Sequence, residues 1–261
     1  WQNTSVMEDI LHRLPLTFEL GAMALIVALI VGIPIGVYSA VSQDTIGDYY
    51  DAAGNSDTIR LAAGVTASEV TLWRDTSNLY LGINGTDDKL TVQSWFDDSA
   101  YRVERIEFAD GTVWDTATLA SAKLMGTESG DYLYGTAGAE VMEGLGGDDY
   151  LTGNAGNDTL DGGAGNDTLY GGTGNDTYVF GRGYGQDTIG EYHDAAGNSD
   201  AICLKPDVAP GDVTLWRDTS NLYLGINGTD DKLTVQSWFD DPAYRVERME
   251  FADGTVWDTA T

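Results

Sequence analysis

The sequence predicts an all-β chain: a parallel roll of short strands between two near-identical β-rich domains, preceded by one N-terminal hydrophobic α-helix. Three observations carry this expectation. A glycine-and-acid motif recurs every nine residues through 126–179, one 76-residue segment occurs twice at an offset of 143, and 22 consecutive residues at 20–41 carry no charge. The expected segments are a membrane-like helix at 1–42, a first β-rich domain at 43–125, the roll at 126–185 and a second β-rich domain at 186–261.

The uncharged run LGAMALIVALIVGIPIGVYSAV would form a helix roughly 33 Å long at the usual rise, enough to cross a bilayer core. Pro34 would kink it, which membrane helices tolerate. A signal peptide is the rival reading, but the run is too long for one and no clean cleavage site follows.

The duplicated segments are 43–118 and 186–261, which differ at 13 of 76 positions and share VTLWRDTSNLYLGINGTDDKLTVQSWFDD unchanged. Such near-identity implies a tandem duplication within a longer array of the same period. Apolar residues alternate in Val70-Leu72, Leu79-Leu81-Ile83 and Leu90-Val92, as strands with one buried face require. Asn84-Gly85 and Asp110-Gly111 are turn dipeptides between such runs and predict hairpins. Trp73, Trp95, Trp114, Phe96 and Phe108 could make a sugar-stacking platform; on alternating strands they read better as core.

Residues 126–179 divide into six units of nine: GTESGDYLY, GTAGAEVME, GLGGDDYLT, GNAGNDTLD, GGAGNDTLY and GGTGNDTYV. Glycine opens each. Position six is always acidic (Asp131, Glu140, Asp149, Asp158, Asp167, Asp176), and position eight is a large apolar residue or tyrosine. Positions one to six suit a turn in which glycine allows positive φ and close approach of carbonyls. Positions seven to nine suit a short strand with only position eight facing inward. Two units make a coil of 18 residues, which stacks Asp131 on Asp149, Asp149 on Asp167 and Asp158 on Asp176. Stacked carboxylates repel unless a cation lies between them. A donor set of carboxylates and main-chain carbonyls suits calcium, with its flexible six- to eightfold oxygen shell, better than magnesium, zinc or copper. A glycine-rich linker would not hold an acid and an apolar residue at fixed phases. Ser129 at position four and Glu140 at position six depart from the pattern, so the first two units should bind weakly or not at all. Asp187, in GQDTI, is the expected last acid, with Asp44 its match in the first duplicate.

Residues 126–189 resemble the repeats-in-toxin (RTX) family, whose nonapeptides form a calcium-binding parallel β-roll. The flanking copies are similar to haemolysin-type calcium-binding-related domains, on the phrases DTI, DAAGNSD, TVQSWF and IEFADGTVW. The resemblance implies several calcium ions held by position-six carboxylates and by turn carbonyls, notably at positions two and four. Those carbonyls would belong to Asn154, Gly163 and Gly172, and to Gly147, Gly156, Gly165 and Gly174. It also implies export through a type I secretion channel and folding outside the cell, where calcium is plentiful. Residues 7–41, with RLPLTFELG and GIPIGV, resemble an inner-membrane permease of dipeptide and oligopeptide ABC transporters. A permease helix and a secreted roll imply different routes, so the junction near Ser42 reads as a chimera, with a genuine membrane anchor as the alternative.

The formal charge of −29 repels nucleic acid and anionic lipid and attracts cations, so no nucleic-acid partner is expected. From 126 to 189 there are eleven acids and one base, Arg182. Self-repulsion should keep this tract open until metal binding supplies the folding free energy. Cys203 is the sole cysteine, so disulfides and cysteine zinc sites are excluded. There is no nucleophile elbow, HExxH or phosphate loop, and neither His12 nor His193 is placed as a base. The chain is therefore expected to be a calcium-dependent folding module of a secreted or surface exoprotein rather than an enzyme. The alternatives are the C-terminal region of a secreted hydrolase or toxin, and a permease fragment. No motif specifies a cell-surface target.

Overall fold

A computed structural model describes residues 43–47, 56–191 and 198–259. The expected helix at 20–41, the permease-like stretch and both histidines lie outside them. Among the described residues no helix is long and apolar enough to cross a membrane.

The described chain is built almost wholly of strands, with one short α-helix, Thr116–Ala120, capped by Asp115 accepting from Thr118 N at 2.9 Å. The nonapeptides form the expected roll. Lys123–Met125, Val141–Glu143, Thr159–Asp161, Thr177–Phe180, Ala201–Leu204 and Arg248–Glu250 run parallel in one sheet. Tyr132–Tyr134, Tyr150–Ala155, Thr168–Thr173, Gln186–Ile189 and Lys232–Val235 run parallel in the other. Met142 pairs with Leu160 and Leu151 with Leu169, the 18-residue register that two units per coil demand.

Because side chains alternate along a strand, each three-residue strand buries only its middle member. Leu133, Met142, Leu151, Leu160, Leu169 and Tyr178 accordingly fill the space between the sheets. Each such burial stabilises by about 1.5–3 kcal/mol. The stack does not stop at 185: Ile189, Ile202, Leu233 and Met249 of the second duplicate continue the same core. The first duplicate instead has its own core, with Leu79, Val92, Trp95, Ile106 and Leu119 at its centre. Trp95 and Phe108 are buried, and Phe96 and Trp114 pack against that core, so these four are core as expected, whereas Trp73 stacks on Tyr80 outside it.

In each duplicate an antiparallel meander carries one sheet outward. Val70–Arg74, Leu79–Ile83 and Lys89–Gln93 extend the first sheet, with Gln43–Gly47 parallel at its end. Val213–Arg217 and Leu222–Ile226 extend the second through Lys232–Val235. Thr58–Arg60, Arg105–Glu107 and Val113–Trp114 form a separate small sheet.

Candidate metal-binding turns

Each nonapeptide turn divides its labour by position. Glycine at position one is required by space. A Cβ on Gly144, Gly153, Gly162 or Gly171 would overlap the position-six carboxylate of its own unit. Positive φ occurs instead at positions two and four of units three to six. Gly147, Gly156, Gly165 and Gly174 adopt it at position four, and Leu145, Asn154, Gly163 and Gly172 at position two. These residues also sit against carbonyls of the coil before: a Cβ on Gly163 would overlap the carbonyl of Leu145, and one on Gly174 that of Gly156. The turns thus present rows of main-chain carbonyls, one coil above another.

The position-six acids form two ladders. The Oδ1 of Asp149 accepts from Asp131 N at 2.7 Å, that of Asp167 from Asp149 N at 2.8 Å and that of Asp187 from Asp167 N at 3.0 Å. On the other side of the roll Asp158 accepts from Glu140 N at 2.7 Å, Asp176 from Asp158 N at 2.8 Å and Asp200 from Asp176 N at 2.7 Å. All the predicted stacks are present. Asp200 was not predicted, because it lies 24 residues after Asp176 rather than 18; its clue is the phrase DAI, an acid two places before an inward-facing apolar residue. A second, outer ladder also escaped the sequence. Asp148 accepts from Asn166 N at 2.8 Å and Asn157 from Asn175 N at 2.9 Å, which explains the asparagines at position five.

The second carboxylate oxygen separates the units. In Asp149, Asp158, Asp167 and Asp187 the Oδ2 is buried and accepts no hydrogen bond. A buried oxygen of this kind costs free energy unless something positive meets it. In the first two units it is already met. Thr127 donates its N–H at 2.6 Å and its hydroxyl at 2.9 Å to Asp131 Oδ2, and Thr136 donates its N–H to Oε2 and its hydroxyl to Oε1 of Glu140. Neither of these turns shows positive φ at position two or four among its non-glycine or glycine residues. Asp131, a predicted ligand, therefore has its outer oxygen closed by threonine, whereas Asp149, Asp158, Asp167 and Asp187 keep theirs open. What sets the first two units apart in the structure is the position-two threonine bonded to the position-six acid, not only Ser129 or the length of Glu140.

Electrostatics mark the open acids. Burial first, then the neighbouring carboxylates, pushes Asp158 up to about 7, Asp167 to about 6 and Asp187 to about 8, and raises Asp149 as well. Among the described residues no three acidic, histidine or cysteine side chains converge on one point. An ion here would be held by ladder carboxylates together with main-chain carbonyls. That all-oxygen donor set, with unmet carboxylate oxygens at Asp149, Asp158, Asp167 and Asp187, fits a hard cation of flexible coordination such as calcium.

The family described as RTX calcium-binding nonapeptide repeat (4 copies) matches residues 123–151, 143–178 and 152–187. The family described as haemolysin-type calcium binding protein related domain matches residues 78–118 and 221–261. The chain is similar to the iron-regulated protein FrpA of Neisseria meningitidis serogroup C, at 36% identity over 95 residues, 35% of this chain and 8% of that protein. It thus spans a small fraction of that relative's length. Among solved structures, the AlgE6R3 subunit of the Azotobacter vinelandii mannuronan C5-epimerase is 30% identical, with a TM-score of 0.37 over 52% of this chain and 84% of that one. The extracellular lipase LipA of Serratia marcescens is 18% identical, with a TM-score of 0.35 over 71% of this chain and 32% of that one.

Proposed function

The chain belongs to the calcium-binding RTX proteins, with nonapeptide repeats at 123–187 between two haemolysin-type calcium-binding-related domains, and on that premise we propose that calcium switches its roll from open to folded. Several ions line the two ladders, one side through Asp149, Asp167 and Asp187 and the other through Asp158, Asp176 and Asp200. The turn carbonyls at positions two and four complete each shell. Calcium at the millimolar level found outside cells suffices for a site with a dissociation constant on the order of 10⁻⁴ to 10⁻³ M. The single observation that carries this reading is the buried, unmet Oδ2 of Asp149, Asp158, Asp167 and Asp187.

In this reading the module does no chemistry of its own, because its ordered acids are committed to ladders and turns. It serves a larger secreted or surface protein, kept unfolded in calcium-poor cytosol, exported by a type I channel and folded outside.

Isothermal titration of the whole chain with calcium tests the assignment. The variant carrying Asp158→Ala, Asp167→Ala and Asp176→Ala should lose most of the bound ions and most of the calcium-induced β-signal in circular dichroism. An undiminished ion count in that variant sinks the assignment of the ladders.

A further inference from the structure

The same five residues, VTLWR, occur as Val70–Arg74 and as Val213–Arg217, and the two strands meet different surroundings. Each is hairpinned identically to its neighbour, Arg74 opposite Leu79 and Arg217 opposite Leu222. Each stacks its tryptophan on a tyrosine at 5.5 Å, Trp73 on Tyr80 and Trp216 on Tyr223. The outer edges differ. Val70–Arg74 receives a parallel strand, Lys123–Met125, with Trp73 opposite Lys123 and Arg74 opposite Leu124. Among the described residues Val213–Arg217 is the last strand of its sheet.

Burial follows the partner. Arg74 is 4% exposed, its guanidinium 4.5 Å from the Phe96 ring centroid. It also feels the attraction of Glu140, the acid of the second nonapeptide unit. Arg217 sits likewise over Phe239, at 3.8 Å, yet is exposed, and Leu215 and Trp216 are 42% and 43% exposed. Asp218 N bonds inward to Asn221. Strand alternation then leaves the N–H groups of Leu215 and Arg217 pointing outward, an edge that a further strand can join.

We propose that Val213–Arg217 is a docking edge for the opening strand of a further roll of this same kind, entering parallel as Lys123–Met125 does on Val70–Arg74. The occupant is specified by the interface already formed in the first duplicate. It has a short apolar helix like Thr116–Ala120, a strand like Lys-Leu-Met, and then an acid-bearing turn that brings a carboxylate toward the waiting arginine. A second intact chain does not supply it, since its own Lys123–Met125 is already paired. Such docking makes the rolls and their flanking domains continuous, each meander closing one roll and seeding the next. This goes beyond calcium binding and uses a different surface.

A peptide with the sequence of residues 116–143, which carries both the opening strand and Glu140, added to the calcium-loaded chain, tests the proposal. The expected result is saturable one-to-one binding, with new amide-exchange protection at Leu215 and Arg217. Leu215→Pro removes an outward N–H without touching an inward bond and should weaken binding roughly tenfold or more. Arg217→Glu, a surface change that leaves the backbone intact, should weaken it too and covers the case in which the proline variant misfolds. Absence of binding, protection at Val70–Arg74 instead, or pairing of chains through Val213–Arg217 with the peptide ignored, would each overturn the proposal.

Discussion

Asp158 shows how one residue couples charge to folding. Its Oδ1 accepts from Glu140 N at 2.7 Å, while its Oδ2 is buried with no donor and burial pushes its carboxyl up to about 7. Asp167 and Asp187 behave alike, pushed up to about 6 and about 8, against 3.8 for an ordinary aspartate. The sign follows. A folded-state value above the unfolded one means that the metal-free roll binds extra protons on folding. Its stability is therefore greatest at low pH and is lost as pH rises from about 4 through the folded values near 6 to 8. Calcium displaces those protons, so calcium affinity should fall as pH drops across the same window. Calcium titrations at several pH values check this; affinity independent of pH would contradict it. The position-one glycines give a second residue-scale test. In Gly162→Ala the new methyl would overlap the Asp167 carboxylate, whereas Gly211 has nothing within 4 Å of the same position. Gly162→Ala should cost about 1–3 kcal/mol in the calcium-loaded state, measured by denaturant unfolding, and Gly211→Ala close to nothing.

At the scale of the nonapeptide, the first two units differ from the later ones at position two, where a threonine donates to the position-six acid, and on the proposed reading that residue is the gate for an ion. Thr127 and Thr136 close the first two. Replacing Thr136 with glycine and Glu140 with aspartate recreates the composition of the later units, and should add one ion to the saturating count in equilibrium dialysis; an unchanged count would mean that the threonine is not the gate. Much of this element was legible in the sequence. The phase of position eight gave the inward face, and the phase of position six gave the ladder partners, because an 18-residue coil leaves no other register. The threonines were not legible as gates, since a threonine near an acid takes on that meaning only once the turn brings them within hydrogen-bond distance. Asp200 was hidden by its spacing of 24 residues from Asp176, and the position-five ladder by the absence of any rule linking asparagines one coil apart.

Over the whole molecule, the presence of two separate cores predicts a divided response to calcium. The roll and the second duplicate share one hydrophobic core, and the first duplicate has another in which no ladder acid takes part. Near-identical sequences thus end in different structural company, which no local motif could reveal: Gln186–Ile189 joins the roll, whereas Gln43–Gly47 is an edge strand beside Lys89–Gln93. A chain of formal charge −29 gains most from neutralisation where its acids are stacked. Amide hydrogen exchange on the whole chain, in chelator and in calcium above pH 8, where the raised carboxyls are ionised, reads both cores at once. The first duplicate should remain protected in both conditions. Strands between Tyr132 and Ile189 should be unprotected in chelator and become protected on adding calcium, with magnesium ineffective. Full protection of those strands in chelator would contradict the claim that the ladders need a metal ion to close.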